Sequence, residues 1–202
     1  MRLAGKSPGN AVIRMGVDPM CGKVNDGKRV LQEAVVTSDD GGLANVFVKL
    51  QGSFPSAPAA PSAPVVIDQK GCVYAPRVVG VRVGQTLEIR NDDPLNHNVH
   101  SLSAKGNVFN VVQGKAGVVS SFKMKDEEMF TVKCDVHRWM NAFVGVVSHP
   151  YFAVSGDGGS FEIRNLPPGT HTIQAWHEKY GTLTKTISVK AGTVSTAEFT
   201  YQ

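Results

Sequence analysis

Charge is scarce in this chain, and it is not concentrated anywhere. Only 19% of the 202 residues are charged, and the formal net charge is +4 at pH 7. Lys and Arg form no run along the sequence, whereas a protein that binds nucleic acid needs a basic patch or stripe. We therefore expect no nucleic-acid partner.

Long apolar runs are missing as well. No stretch approaches the roughly 18 apolar residues of a membrane-spanning helix, so we expect no transmembrane segment. The N-terminus, MRLAGK, is basic, but the apolar segment of a secretory signal peptide does not follow it. Either the protein is not exported, or a start methionine has replaced its signal; the cysteines favour the second interpretation.

Cysteine is also rare, with only Cys21, Cys72 and Cys134 in the chain. If Cys134 binds a metal, as argued below, Cys21 and Cys72 are left to form one disulfide. Disulfides persist in oxidising compartments, so this bridge predicts a periplasmic or secreted protein. The alternative is a pair of buried free thiols, since unpaired cysteine is often used as a small apolar side chain.

Helical periodicity is absent, because no segment of about eleven residues or more repeats its apolar positions every three to four residues. Gly84 and Gln85 separate two alternating segments in the way a hairpin turn does. The segments that are rich in β-formers or alternate apolar and polar residues are 44–50, 79–83, 87–90, 160–164 and 183–189. The sequence therefore predicts an all-β protein.

A proline-rich segment interrupts these strands. Pro55, Pro58, Pro61 and Pro64 fall at every third position. The polyproline II helix has three residues per turn, so these rings line one face of a stiff, extended spacer. We interpret residues 53–64 as a linker between two folding units.

Side chains that bind soft metals lie close together further along the chain. Cys134, His137 and Met140 are spaced by three residues, and His97 and His100 precede them. Two imidazoles and a thiolate in a trigonal set, with a weak axial thioether, form an electron-transfer copper site. Zinc rarely uses methionine, and magnesium and calcium prefer oxygen. The sequence predicts one copper ion that cycles between Cu(I) and Cu(II); zinc remains possible only if Met140 is a bystander.

From about residue 65 to residue 147 the chain resembles the cupredoxins, and within them the amicyanin and plastocyanin group. The resemblance is carried by GQTLEIRND at 84–92, by NHNVH at 96–100, and by the spacing of Cys134, His137 and Met140, which is as short as in amicyanin. It implies a Greek-key β-sandwich that holds a type 1 copper ion.

The same resemblance assigns roles to single residues. It selects His97 rather than His100 as the upstream imidazole, which leaves His100 as a surface or packing histidine. It makes Asn98 the residue that braces the ligand loop and forms a hydrogen bond near the thiolate sulfur. The implied ligands are His97, Cys134, His137 and Met140.

Residues 155–202 are similar to the second half of a carboxypeptidase-regulatory-like β-sandwich. The similarity is carried by GGSFEIRNLPPGTHTI at 158–173, in which His171 stands where the family usually has tyrosine. A strand such as residues 45–50 would end the first half of this second, small sandwich.

Half a sandwich cannot bury its apolar face alone, so the two halves are expected to fold together. We predict a discontinuous domain of residues 1–52 and 153–202, with a copper domain of residues 65–152 inserted in it. One enlarged cupredoxin sandwich with extra strands at each end is the alternative.

The ligand set also indicates the kind of function. Four protein ligands leave no open position for a substrate, so the protein is not expected to be an enzyme. We predict a mononuclear copper protein that carries single electrons between redox partners, such as a cytochrome or a dehydrogenase-like protein. The alternative is a non-catalytic copper-binding or surface-interaction module.

One other group of side chains, Trp176-His177-Glu178, could take part in metal binding or in a domain contact. On a strand Trp176 and Glu178 share one face and His177 takes the other. We interpret Trp176 as a core residue and His177 as exposed or locally bonded. A second metal site or a contact with the copper domain is the alternative.

Overall fold

A computed structural model describes residues 1–202 as fifteen strands, one short α-helix and one 3₁₀ helix. The helix α1 spans Pro19–Val24 and the 3₁₀ helix spans Met15–Val17. Neither has the length and apolar character that a membrane-spanning helix requires. The strands are β1 (Arg2–Leu3), β2 (Phe47–Leu50), β3 (Val65–Gln69), β4 (Tyr74–Ala75), β5 (Val78–Arg82), β6 (Thr86–Asn91), β7 (His97–Ser101), β8 (Asn110–Gln113), β9 (Val118–Lys123), β10 (Glu128–Lys133), β11 (Asn141–Val147), β12 (Phe152–Val154), β13 (Gly169–His177), β14 (Gly181–Val189) and β15 (Thr200–Tyr201). The prediction of an all-β protein is confirmed.

The chain divides into two compact units, and each is built from separate stretches of sequence. The terminal unit consists of Met1–Gly9, Ala34–Pro58 and Ser148–Gln202. The central unit consists of Asn10–Glu33 and Ala59–Val147. The border between Pro58 and Ala59 falls inside the proline-rich segment.

These borders differ from the predicted ones for residues 10–33, which the sequence-based division assigns to the terminal unit, and for residues 148–152, which it assigns to the copper domain. In the structure a disulfide joins Cys21 to Cys72, as the cysteine count predicts, and so fastens the segment of residues 10–33 to the central unit. The side-chain amide of Asn25 adds a hydrogen bond of 2.9 Å to the carbonyl oxygen of Gly71. The segment contains only short helical turns and one isolated bridge, between Val12 and Leu31, so no strand pattern indicates where it packs.

The central unit is a sandwich of two sheets. One sheet has the order β5-β11-β10-β7-β8 and the other has the order β4-β3-β6-β9. In β6 the inward positions Leu87 and Ile89 alternate with partly exposed neighbours, because successive strand residues point to opposite faces. Both sheets contribute to one buried core, which includes Ile67, Leu87, Ile89, Val99, Val132, Val144 and Val146.

The segment Gly84–Gln85 does not form the predicted hairpin. It joins β5 to β6, which lie in different sheets, so it is the turn that carries the chain across the sandwich. Gly84 has a φ of +84°, a conformation that glycine adopts most readily, and the side chain of Gln85 accepts a hydrogen bond from the backbone N–H of Arg82 at 3.0 Å. The prediction of strands on both sides was right, but alternation does not reveal which strands pair.

The terminal unit has a four-stranded sheet in the order β12-β2-β13-β14 and a parallel pair of β1 with β15. Its core contains Val48, Leu50, Ile173 and Ala175 of the sheet together with Leu3 and Tyr201 of the pair. The strand predicted at 160–164 is wrong, because these residues lie outside all strands. Phe161 and Ile163 nevertheless pack against the core, so their alternation reflects the burial of a loop.

The end of β13 reverses one expectation. His177 is fully buried, whereas Trp176 is partly exposed, so the interpretation of Trp176 as the core residue is wrong. The His177 ring stacks on Tyr180 with 5.0 Å between ring centroids, and its Nδ1 accepts the backbone N–H of Lys179 at 3.2 Å. Strand register decides which side chain faces inward, and here it places the smaller ring inside.

Candidate metal centre

Neighbouring strands of the five-stranded sheet bring the predicted ligands to one end of the central unit. The loop of residues 134–140 joins β10 to β11, and β7 runs antiparallel to β10 with Lys133 opposite His100. The first residue of β7, His97, therefore lies beside the beginning of this loop. Inside the loop, the N–H of Met140 donates to the carbonyl of His137 at 2.9 Å, which keeps the turn tight.

Three of the predicted ligands converge on one point. The Nδ1 atoms of His97 and His137 are 3.0 Å apart, and the Sγ of Cys134 is 3.7 Å from the Nδ1 of His137. The ligand atoms of all three side chains lie within 4.8 Å of one another. Met140, the fourth predicted ligand, is buried in the same core, and its carbonyl accepts the N–H of Cys134 at 3.2 Å.

The surroundings of Cys134 favour its thiolate form. The backbone N–H groups of Asn98 and His137 both donate to its Sγ at 3.4 Å. Burial alone would raise the pKa of the Cys134 thiol, but a hydrogen bond from His97 and those from the backbone outweigh burial and lower this pKa to about 7. The thiolate is the form that binds metal, so Cys134 is prepared for that role at neutral pH.

Asn98 ties β7 to the ligand loop. Its side-chain oxygen accepts the backbone N–H of Asp135 at 3.2 Å, and its amide nitrogen donates to Asn110 at 2.6 Å. Together with the bond from its own N–H to Cys134, these are the bracing contacts that the cupredoxin resemblance implies. They tie the Cys134 thiol and the next residue of the loop to the start of β7.

His100 lies outside the cluster of potential ligands. Its Nδ1 is 3.0 Å from the Oδ2 of Asp135, and 30% of its side chain is exposed. His97 and His100 are three residues apart on one strand, so they point to opposite faces. The structure thus brings His97, and not His100, to Cys134 and His137.

Both imidazoles of the cluster have a carboxylate on their outer nitrogen. The Nε2 of His97 is 2.8 Å from the Oδ2 of Asp93, and the Nε2 of His137 is 3.0 Å from the Oδ2 of Asp18. A hydrogen bond from Nε2 to a carboxylate leaves Nδ1 as the nitrogen that faces the cluster, and it makes the ring a stronger donor toward a metal once Nδ1 has lost its proton. Burial opposes a charge on His97, but its hydrogen bonds with Asp93 and Cys134 outweigh burial and raise its pKa to about 9.

Sequence reasoning missed both carboxylates. Asp93 lies four residues before His97 and could have been noticed as a neighbour of the motif. Asp18 lies 119 residues before His137, and no local pattern connects the two.

The donor set fits copper. Two imidazole nitrogens and a sulfur face one another in a buried place, and the second nitrogen of each ring is already engaged by a carboxylate. No carboxylate oxygen enters the cluster of His97, Cys134 and His137 itself. This mixture of nitrogen and sulfur suits copper better than magnesium or calcium. His97, Cys134, His137 and the nearby Met140 would hold the ion, which would supply a one-electron couple.

Comparisons with known proteins find both families that the sequence resembles. The carboxypeptidase regulatory-like domain family matches residues 140–202. A purple cupredoxin from Nitrosopumilus maritimus is 25% identical over 43% of this chain and 100% of its own, with a TM-score of 0.36. A reduced amicyanin is 22% identical over 50% of this chain and 98% of its own, with a TM-score of 0.38.

The copper-containing nitrite reductase of Thermus scotoductus SA-01 also matches, with 21% identity over 48% of this chain and a TM-score of 0.38. This chain covers only 25% of the length of that reductase. No curated protein matches the chain in sequence.

The two histidines of β7 provide a direct test of the ligand set. We expect His97→Ala to weaken Cu(II) binding by more than the roughly 10–100-fold that is typical when an outer partner of a ligand is lost. His100→Ala should change the affinity less than about twofold, because His100 contacts Asp135 and not the cluster. Competition titration against a chelator measures both. Equal losses, or a larger loss for His100→Ala, would show that the wrong histidine was chosen.

Proposed function

We propose that this protein is a mononuclear type 1 copper protein that carries single electrons between redox partners. The observation that carries the proposal is the convergence of His97, Cys134 and His137, whose ligand atoms lie within 4.8 Å of one another in a buried site. Thiolate and thioether favour Cu(I), while imidazoles retain Cu(II), so such a set keeps the ion in both oxidation states.

The way in which the donors are held supports electron transfer in particular. They come from one tight loop and the start of one strand, and backbone N–H groups fix the sulfur on two sides. A site held in this manner changes its geometry little between oxidation states. With all four positions taken by protein ligands there is no place for a substrate, so we propose a carrier rather than an enzyme.

The partner and the location are further parts of the proposal. A cytochrome or a dehydrogenase-like protein would supply or accept the electron. The disulfide between Cys21 and Cys72 supports a periplasmic or secreted location, because such bonds persist in oxidising compartments.

The visible spectrum of the purified protein with one equivalent of Cu(II) tests the proposal. We expect an intense thiolate-to-copper band that disappears on reduction and returns on reoxidation. The same protein with Zn(II) is the control and should stay colourless, because zinc has no accessible redox state. A colourless Cu(II) complex would rule out a type 1 site.

A non-catalytic copper-binding or surface-interaction module is the second candidate, and the carboxypeptidase regulatory-like match over residues 140–202 favours it. The two candidate functions predict different redox behaviour and different rates of copper release. A carrier should show a reversible redox couple with fast self-exchange. A binding module should release its copper readily to a competing chelator and show no visible charge-transfer band.

Met140 offers a test of the axial position. Met140→Leu should retain copper and raise the reduction potential, because loss of a weak donor from an apolar site destabilises Cu(II) more than Cu(I). Each tenfold loss of Cu(II) affinity relative to Cu(I) raises a one-electron potential by about 59 mV. Voltammetry measures the shift. Complete loss of copper, or a lower potential, would contradict an axial role for Met140.

A further inference from the structure

The segment of residues 10–33 lies against the outer edge of the candidate copper site. Its Asp18 contacts the Nε2 of His137 at 3.0 Å, and His137 has only 1% of its surface exposed. One edge of a predicted ligand is thus occupied by a side chain from a distant part of the chain.

Several contacts hold Asp18 in place. It is the residue before helix α1, and its Oδ1 accepts the backbone N–H groups of Met20 at 2.8 Å and of Cys21 at 3.4 Å. Its other oxygen, Oδ2, is left for His137. The disulfide from Cys21 to Cys72 then anchors the helix to the central unit.

The other side of this contact is fixed by Trp139. Its indole N–H donates to the carbonyl of Cys72 at 2.9 Å, and its ring centroid is 5.2 Å from that of His137. The imidazole of His137 is therefore confined by Trp139 on one side and by Asp18 at its outer nitrogen.

We propose that Asp18 is a positioning residue of the copper centre, which fixes the His137 ring through Nε2 and favours Cu(II) over Cu(I). The inference rests on the copper function proposed above. A carboxylate that accepts the Nε2 proton makes the imidazole a stronger donor toward a metal at Nδ1. A negative charge near the ion also stabilises the more positive oxidation state, so both effects lower the reduction potential.

The position of Asp18 limits its electrostatic effect on the ion. The side chain is 31% exposed, so water screens part of its charge. We therefore expect the hydrogen bond to contribute more than the long-range attraction.

Asp93 engages His97 in the same way but is less suitable for a test. It also accepts the N–H groups of Gly71 at 2.6 Å and of Cys72 at 2.8 Å, and it is buried. Its replacement would leave these donors without a partner and destabilise the fold. Asp18 can be changed with less damage, because Asn and Ser begin a helix as well as Asp does.

The test compares Asp18→Asn with Asp26→Asn in the copper-loaded full chain. Asp26 belongs to the same segment, its side chain is 80% exposed, and it pairs only weakly with Lys28 at 3.9 Å. Both variants remove one negative charge, but only Asp18→Asn alters the contact with His137. We expect Asp18→Asn to lower the ratio of Cu(II) to Cu(I) affinity about tenfold, which raises the potential by about 59 mV. Asp26→Asn should leave the potential unchanged.

A second variant, Asp18→Ser, keeps the start of the helix but is too short to reach His137, and it should raise the potential at least as much. In the metal-free protein, ¹⁵N spectra of the His137 ring should show the Nε2–H tautomer in the wild type and a mixture in Asp18→Ser. If Asp18→Asn, Asp18→Ser and Asp26→Asn all kept the wild-type reduction potential and an intact visible band, the role of Asp18 would be overturned while the copper function stood. A wild-type protein without any such band would instead overturn the copper function, and this inference with it.

Discussion

Replacement of Cys134 with Ser is expected to abolish the visible band of the Cu(II)-loaded protein. The band requires charge transfer from a thiolate, and a serine hydroxyl stays protonated and is a poor ligand for copper. The Ser oxygen can still accept the N–H groups of Asn98 and His137 that contact Sγ at 3.4 Å, so the loop should remain folded. Visible absorption and a copper titration measure the effect, and the affinity should fall by more than about 100-fold.

Val136→Ala provides the matched control for this variant. Val136 lies in the same loop, between Cys134 and His137, and its side chain is 52% exposed. The change should leave the band and the affinity as in the wild type. The copper assignment would be wrong if Cys134→Ser kept an undiminished band. Loss of the band in Val136→Ala as well would mean that the loop, and not the thiolate, had been disturbed.

The part of the site that sequence could predict is the part that is local. Cys134, His137 and Met140 lie within one tight loop, so their spacing already limits where their side chains can go. His97 is remote in sequence, and it was chosen over His100 because of the residues around it. Strand geometry, which places the two on opposite faces, then agrees with that choice.

The contacts that sequence could not predict are long-range ones. Asp18 reaches His137 only because a disulfide fixes residues 10–33 to the central unit, and no periodic pattern marks that segment. The cysteine count indicated the bridge itself but not what the bridge would bring to the site. A carboxylate that contacts a metal ligand, and not the metal, is not indicated by the spacing of the ligands.

The errors in the strand assignments have a similar cause. Alternation at 160–164 shows that one side of the segment is buried, yet Phe161 and Ile163 reach the core from a loop. Alternation on both sides of Gly84 correctly indicates two strands, although these pair with β11 and β3 rather than with each other. The alternation of apolar residues shows locally which side of a segment is buried, whereas strand pairing depends on partners elsewhere in the chain.

Removal of the disulfide with Cys21→Ala and Cys72→Ala together should lower the free energy of unfolding of the central unit by about 4 kcal/mol. The bridge joins residues 51 positions apart, and cross-linking a loop of that length removes this much chain entropy from the unfolded state. Alanine avoids the burial of two unpaired hydroxyls, which serine would introduce at these fully buried positions. Chemical denaturation of the metal-free protein measures the change without a contribution from bound copper.

The same double variant separates the stability role of the bridge from its effect on the site. The Cys134 loop does not depend on residues 10–33 for its backbone hydrogen bonds, so the visible band should persist. Asp18, however, is held against His137 through the helix that carries Cys21, and its release should raise the reduction potential, as Asp18→Asn does.

An unchanged free energy of unfolding would contradict the stabilising role of the bridge, and two alkylatable thiols besides Cys134 in the wild type would show that it does not form. An unchanged reduction potential in a destabilised variant would mean that Asp18 stays in contact with His137 without the disulfide. The hydrogen bond from Asn25 to Gly71 would then hold the segment in place.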